Sequence, residues 1–173
     1  MRIYKKREKI PITKYNPKFR NNLGHFEKEE WTSISDINKI YNGKLFTFED
    51  YLKAENLYVK SIILALSFFK SKSIKITHIY KLDKKEDFKK HNSLGLYNTY
   101  ISIKNGNIIK DEKTIDDLIR LRLREHIGEL ELTIDSKSRS EILFGFDYYM
   151  YLNTNKDVTS LLKQISSTGL FAY

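Results

Sequence analysis

The chain has 173 residues, of which 40% are hydrophobic, and this length is enough for one compact domain with a substantial core. The absence of cysteine excludes disulfides, thiolate metal sites and a cysteine nucleophile, and it fits a reducing cytoplasm. The most apolar run, residues 62–69, is far shorter than the ~20 residues needed to cross a bilayer. No apolar segment follows the basic first residues before Pro11, so we predict a cytoplasmic protein without an export signal.

The net charge of +9 is concentrated near the start of the chain. Residues 1–20 contain eight basic residues and one acidic residue, so the remainder is close to neutral. We therefore predict a single domain over residues 1–173, with a basic N-terminal arm at residues 1–11. Such an arm can contact phosphates or an acidic partner, but it is more often simply solvated.

The first half of the chain predicts two helices, a short one at residues 35–41 and a long one at residues 48–69. Each follows a serine or threonine placed three residues before an aspartate, which is a capping pattern. Apolar residues of the second helix recur at helical spacing in a stretch without glycine or proline. The capping pairs are Ser33 with Asp36 and Thr47 with Asp50.

The middle of the chain predicts strands. Residues 73–81 alternate in polarity, which is typical of a strand. Residues 97–103 and 108–110 flank Asn105-Gly106, a sequence typical of a type I′ turn, and therefore predict a hairpin. The alternation at 73–81 assigns one strand face to Ile74, Ile76, His78 and Tyr80.

Residues 111–128 predict a helix, because acidic capping residues precede this segment and Gly128 can end it. Residues 119–124 also alternate like a strand, but their flanking signals favour a helix. Arg120 and Arg124 would share one face of that helix, whereas Arg122 would lie elsewhere.

The stretch 144–152 predicts the central strand of a sheet, in a hairpin with residues 129–135. A short helix from Asp157 to Ile165 follows it. Since consecutive strands are joined mostly by turns, we predict an α+β single domain, with a mostly antiparallel sheet and helices packed mainly on one face. Period-2 geometry assigns Phe144, Phe146, Tyr148, Met150 and Leu152 to the core face, and Asp147, Tyr149 and Tyr151 to the other.

The sequence contains no catalytic constellation that identifies a reaction. The four histidines lack the spacing of a metal site, and no glycine-rich phosphate loop is present, so we predict no enzyme, no metal and no cofactor. A hydrolase remains a third alternative. It would require His78 or His126 within about 3 Å of Asp147, or joined to it through one water.

Nucleic-acid binding has some support from the basic arm and from twelve tyrosines and ten phenylalanines. However, stacking aromatics are expected to alternate with basic residues, and residues 144–152 contain neither lysine nor arginine. That strand has the tyrosines and the acid typical of a protein interface. We therefore predict a protein partner, with an RNA-binding module that uses the basic arm as the alternative.

Five segments run in order over nearly the whole chain, at residues 12–24, 30–37, 42–52, 118–125 and 144–151. They contain motifs such as Asn-Gly-Lys-Leu-Phe-Thr-Phe-Glu-Asp-Tyr-Leu and Phe-Gly-Phe-Asp-Tyr-Tyr-Met-Tyr. With these segments the chain resembles the immunity proteins of bacterial contact-dependent growth inhibition and related polymorphic toxin systems.

The resemblance implies a cytoplasmic protein that binds the C-terminal toxin domain of a cognate effector and blocks it. Such toxin domains are very often nucleases, tRNA-cleaving ones included. The basic net charge departs from the acidic surface expected of an inhibitor of a basic nuclease. Both occlusion of the toxin's active site and binding elsewhere stay open.

Candidate contacts to the toxin are acidic residues near Trp31 and the exposed side of the 144–152 strand. Trp31 itself is assigned equally to the core and to the interface. The predicted toxin-binding residues are Glu29, Glu30, Asp36, Asp147, Tyr149 and Tyr151.

Overall fold

The computed structural model describes residues 7–173, so residues 1–6 of the predicted basic arm lie outside the described residues. A seven-stranded sheet forms the centre, and all of its strand pairs are antiparallel. Its strands in spatial order are β5 (Ile108–Ile109), β4 (Ile74–Lys81), β6 (Ile127–Asp135), β7 (Ser140–Phe144), β8 (Tyr149–Thr154), β1 (Glu8–Thr13) and β9 (Phe171–Ala172).

Four α-helices accompany the sheet within residues 7–173, and they pack mainly on one of its faces. The predicted α+β class with an antiparallel sheet is therefore confirmed. One apolar cluster joins the buried sheet face to the helices. No helix in the described part is both long and apolar enough to span a membrane. The helices are α1 (Phe48–Phe68), α2 (Tyr97–Ser102), α3 (Glu112–Leu123) and α4 (Thr159–Ser167).

The long helix α1 agrees closely with its prediction. The Thr47 side chain accepts a hydrogen bond from the Asp50 amide at 3.1 Å, and the Asp50 side chain bonds back to Thr47, so the predicted capping box is formed. Asp111 caps α3 in a similar way, by accepting from the Thr114 amide. The helix prediction for residues 119–124 is thus confirmed, although α3 ends at Leu123, before the expected Gly128.

The predicted helix at residues 35–41 is wrong. A single 3₁₀ turn, Ile34–Asp36, carries the predicted Ser33–Asp36 capping box, and a small hairpin follows it. The hairpin strands are β2 (Ile40–Tyr41) and β3 (Lys44–Leu45). Asn42 and Gly43 between them both have positive φ, at 49° and 76°, which is the requirement of a type I′ turn.

The predicted hairpin at residues 97–110 is also wrong. Residues 97–102 form α2, whose Tyr100 packs against buried Phe88 with ring centroids 4.8 Å apart. Only Ile108–Ile109 forms a strand, and it pairs with the start of β4. Tertiary packing of the tyrosines thus overrides their strand propensity.

Two other predictions are corrected near the ends of the sheet. The predicted arm at residues 1–11 is wrong for residues 8–11, because Glu8–Thr13 forms strand β1, which lies between β8 and β9 in the sheet. In β4, a bulge between Ile76 and His78 reverses the alternation. His78 therefore lies on the solvent side of the sheet instead of sharing a face with Ile76.

The predicted strand at residues 144–152 is two strands with a turn between them. β7 ends at Phe144, β8 begins at Tyr149, and Gly145–Tyr148 form the loop. Met150 and Leu152 are fully buried and Tyr148 is 8% exposed, as predicted. Phe146, which was assigned to the core, is 88% exposed because the turn interrupts the period-2 alternation.

Candidate functional site

The face of the sheet opposite the main helices carries a row of three stacked tyrosine rings, here called the tyrosine ladder (Tyr15, Tyr149 and Tyr151). Tyr149 and Tyr151 point to this face because their neighbours Met150 and Leu152 point into the core. The Tyr15 and Tyr149 ring centroids are 5.6 Å apart, and those of Tyr149 and Tyr151 are 6.2 Å apart. Each pair is inclined by 25° or less, so the three rings form a continuous stack.

Cationic side chains border the tyrosine ladder. The Lys9 ammonium lies 4.1 Å from the centre of the Tyr151 ring, and the Arg20 guanidinium lies 5.6 Å from that of Tyr149. Both distances are within the range of cation–π attraction. Lys9 comes from β1 and Arg20 from the irregular segment after it, so these basic residues reach the ladder from outside β8.

An open pocket of about 320 Å³, here called the ladder pocket, adjoins Tyr15 and Tyr149. Its lining combines aromatic rings with two carboxylates and two cations. A pocket of this size and mixed chemistry can accept a large side chain or a flat ring, with polar groups to orient it. The lining residues are Tyr15, Arg20, Phe26, Lys28, Glu30, Thr32, Asp147 and Tyr149.

Lys14 contacts two residues that line this pocket, Tyr15 and Glu30, and its side chain is only 8% exposed. Its ammonium lies 3.2 Å from the Glu30 carboxylate, 3.9 Å from the centre of the Tyr15 ring and 4.1 Å from that of Trp31. Burial lowers the pKa of Lys14 from 10.5 to about 8, although Glu30 acts to raise it. Burial also raises the pKa of the Tyr15 hydroxyl.

The structure places four of the six predicted contact residues in this region. Glu30, Asp147 and Tyr149 line the ladder pocket, and Tyr151 continues the ladder. Glu29 is exposed but does not line the pocket. Its backbone carbonyl instead accepts a hydrogen bond from Asn42 at 3.1 Å.

Asp36 is a correction, because it is a structural residue and not an available contact. It is 6% exposed and accepts hydrogen bonds from the Thr32 and Ser33 amides and from Lys39 at 2.7–3.1 Å. Burial acts to raise the pKa of Asp36, but these hydrogen bonds outweigh it and lower that pKa to about 2. All of its bonding capacity serves the 3₁₀ turn.

Trp31 makes the packing contacts that one of its two assignments predicts, and its role in an interface stays a prediction. Its ring stacks on Phe46 with centroids 4.6 Å apart and meets Tyr148 edge-on at 4.8 Å. Trp31 is half-buried and packs against the main apolar cluster. The Trp31 ring therefore packs against the Lys14 ammonium, which lies 4.1 Å from its centre.

The turn between β7 and β8 forms one end of the candidate site. Asp147 and Tyr148 are consecutive non-glycine residues in the left-handed region, with φ of 51° and 59°. Such residues are strained and persist only where their surroundings hold them. The Arg122 guanidinium donates to the Gly145 carbonyl at 2.7 Å, and the Tyr148 hydroxyl donates to the Leu123 carbonyl at 2.9 Å. The turn is thus fixed from below by α3.

Arg122 differs from the other two arginines of α3. Arg120 and Arg124 share a face, as predicted, but they do not form an open basic patch. Both bind the fully buried carboxylate of Glu55, with Arg124 at 2.7 and 2.9 Å. Arg122 makes no ion pair with the described residues, and burial lowers the pKa of its guanidinium.

The two histidines considered for a hydrolase bond to other acids. His78 bonds to Glu129 at 2.8 Å and His126 Nδ1 bonds to Asp83, and no direct hydrogen bond joins either histidine to Asp147 within residues 7–173. Among residues 7–173, no group of three or more histidine, aspartate or glutamate side chains is placed to hold a metal ion.

Sequence reasoning missed the half of the site that lies between residues 9 and 28. The sequence predicts no helix or strand within residues 14–30, yet this segment interleaves Tyr15, Phe19 and Phe26 with basic residues. That interleaving is the aromatic and basic pattern that was sought only within residues 144–152. It was the available signal for this surface.

Comparison with known proteins adds no identification. No family model, no curated protein and no solved structure matches this chain.

Proposed function

We propose that this chain is a cytoplasmic immunity protein that binds and neutralises the C-terminal toxin domain, a nuclease, of a cognate contact-dependent inhibition effector. The resemblance of five ordered segments to such proteins is the basis for the biological role. Within this proposal the chain is not an enzyme, and the tyrosine ladder with its pocket is the surface that contacts the toxin.

The composition of the ladder pocket is the observation that carries the proposal. Tyrosine and arginine are enriched at the energetic centres of protein interfaces. Two carboxylates, Glu30 and Asp147, stand among the aromatic rings. Arg20 and Lys28 line the same pocket, so its charge is mixed. The two carboxylates can pair with basic side chains of a nuclease, and the two cations can pair with acidic ones.

The direct test is co-expression of the chain with the C-terminal domain of the effector encoded beside its gene. We expect a one-to-one complex on gel filtration, nanomolar affinity by isothermal titration calorimetry and loss of toxin activity. No binding at micromolar concentrations would contradict the proposal.

A tyrosine pair tests whether the ladder is the contact surface. Tyr149→Ala removes the central ring, and we expect at least a hundredfold weaker binding, which is about 2.7 kcal/mol. Tyr80, which is 57% exposed on β4, provides the matched control, and Tyr80→Ala should change the affinity less than threefold. Thermal melting of both variants verifies folding. Equal effects of the two substitutions would remove the ladder from the interface.

Single-stranded RNA is a second candidate ligand, because stacked tyrosines bordered by Lys9 and Arg20 also suit bases and phosphates. The RNA hypothesis predicts that affinity for a fluorescent oligonucleotide falls steeply with salt and also falls when residues 1–6 are removed. Truncation must stop there, because Glu8–Thr13 is a sheet strand. Under the immunity hypothesis, this truncation leaves toxin binding unchanged.

A further inference from the structure

Phe146 is the most exposed large apolar side chain in the described part of the chain, at 88%, followed by Leu23 at 80%. It lies two residues after the end of β7, at a position where strand alternation would bury it, and the turn places it in solvent instead. An exposed aromatic ring at the tip of a hairpin is suited to enter a partner's pocket.

The turn that carries Phe146 is held rigidly. The Tyr149 amide donates to the Phe146 carbonyl at 3.0 Å, and the Gly145 amide donates to the Tyr149 carbonyl at 2.7 Å. From below, Tyr58 donates its hydroxyl proton to the Tyr148 carbonyl at 2.5 Å. Arg122 holds the Gly145 carbonyl in addition. A ring presented on so fixed a backbone loses little conformational freedom on binding.

The left-handed residues explain the position of the ring. With Asp147 and Tyr148 at positive φ, the chain reverses immediately after Phe146, and the Tyr148 ring takes the buried place. Strained backbone of this kind is frequent at functional sites, and His91 with Asn92 is the other consecutive non-glycine pair of this kind within residues 7–173. The same turn also supplies Asp147 to the ladder pocket.

The charges around Phe146 define the partner's chemistry. Asp147 is its exposed neighbour, and exposed Glu125 lines the adjoining crevice with it. Arg122 lines the same crevice, but its guanidinium donates to the Gly145 carbonyl. The exposed carboxylates of Asp147 and Glu125 can therefore pair with lysine or arginine side chains on a partner.

We propose that Phe146 is the anchor of the interface, and that it inserts into an apolar pocket of the partner protein whose rim carries lysine or arginine beside Asp147. This inference rests on the proposed function and adds the residue that contributes most to the affinity and the kind of pocket that receives it. The aromatic ring supplies the apolar area, and Asp147 supplies orientation and a faster encounter.

The test measures the affinity of the toxin domain for the intact chain, Phe146→Ala and Leu23→Ala. Leu23 is a matched control, since it is 80% exposed in another loop. We expect Phe146→Ala to weaken binding at least a hundredfold and Leu23→Ala to change it less than threefold, with unchanged melting temperatures for both. Asp147→Asn should weaken binding three- to tenfold at low salt and less at high salt.

The outcomes separate the anchor from the function. A complex of the intact chain that survives Phe146→Ala with unchanged affinity would overturn the anchor and leave the immunity role in place. Equal weakening by the leucine control would also overturn it. Failure of the intact chain to bind the toxin domain would overturn both the proposed function and the anchor. An Asp147→Asn variant with unchanged affinity at low salt would overturn the basic rim.

Discussion

The cluster around Glu55 and the surface around Tyr149 use similar side chains for different ends. Glu55 is fully buried, and both of its carboxylate oxygens accept from arginines, while the Tyr51 hydroxyl adds a third donor at 3.2 Å. At the tyrosine ladder, the cations of Lys9 and Arg20 lie against aromatic rings, and Asp147 is strained. The interior thus pairs its arginines with a carboxylate, whereas these two surface cations lie against tyrosine rings.

The largest expected effect belongs to the buried cluster. Glu55→Ala would leave two guanidinium groups, of Arg120 and Arg124, without their shared carboxylate. We expect a loss of about 3–5 kcal/mol in the free energy of unfolding, measured by urea denaturation. Glu49→Gln on the same helix is the control, because Glu49 is 80% exposed and should matter by less than about 0.5 kcal/mol. Similar losses for both variants would contradict a special role of the buried cluster.

Lys14 tests whether Glu30 compensates only in part for the burial of the Lys14 ammonium beside the ladder. Its pKa in the folded chain is about 8 against 10.5 when unfolded, so between these values the unfolded chain binds more protons. Stability therefore rises with pH in this window. Relative to Lys14→Met, the intact chain should gain about 2 kcal/mol between pH 7 and 9.5. A difference between the two proteins that is constant with pH would refute the lowered pKa.

Lys9 tests how much the ladder's cations contribute to folding. Lys9→Ala removes the ammonium from the Tyr151 ring, and we expect a loss of about 0.5–1 kcal/mol in the free energy of unfolding. Lys75→Ala is the matched control, because Lys75 occupies an exposed position of β4, and it should change stability by less than about 0.5 kcal/mol. If both are neutral, the Lys9 contact does not stabilise the fold.

The smallest expected effect has the opposite sign. Asp147→Gly relieves a left-handed residue at φ 51°, and we expect a gain of about 0.5 kcal/mol in stability after the greater chain entropy of glycine is deducted. The same variant should bind the toxin domain more weakly. Stability that rises while affinity falls would identify the turn as strained for function. Loss of stability would show that the Asp147 side chain supports the turn.

Elements with strong local signals could be predicted from the sequence. α1 has a capping box and a long apolar stripe, and β6 alternates in polarity, so each is specified by its own residues. The predicted hairpin of residues 129–135 with residues 144–152 is wrong, because β6 pairs with β7 (Ser140–Phe144), which lies between β6 and β8. β1 was missed because Pro11 and flanking charges hide it, and only its neighbours β8 and β9 make it a strand. Long-range pairing of this kind has no local signature.

About half of the candidate site could be predicted from the sequence. Tyr149 and Tyr151 follow from alternation along β8, and Glu30 and Asp147 were chosen as acids near aromatic residues. Their assembly with Tyr15 depends on β1 lying beside β8, which the sequence does not reveal. Phe146 was assigned to the core because the period-2 rule cannot anticipate two left-handed residues without glycine.

The position of β1 has a consequence for how this chain folds. Ile12 pairs with Met150 on one side and with Ala172 on the other. Strand β1 can therefore pair only after β8 and β9, which are far along the chain, have been synthesised. Closing so long a loop is slow and leaves a strand edge unpaired in the meantime. The ladder joins Tyr15 to Tyr149 and Tyr151, so it cannot assemble in a nascent chain until β8 has been synthesised.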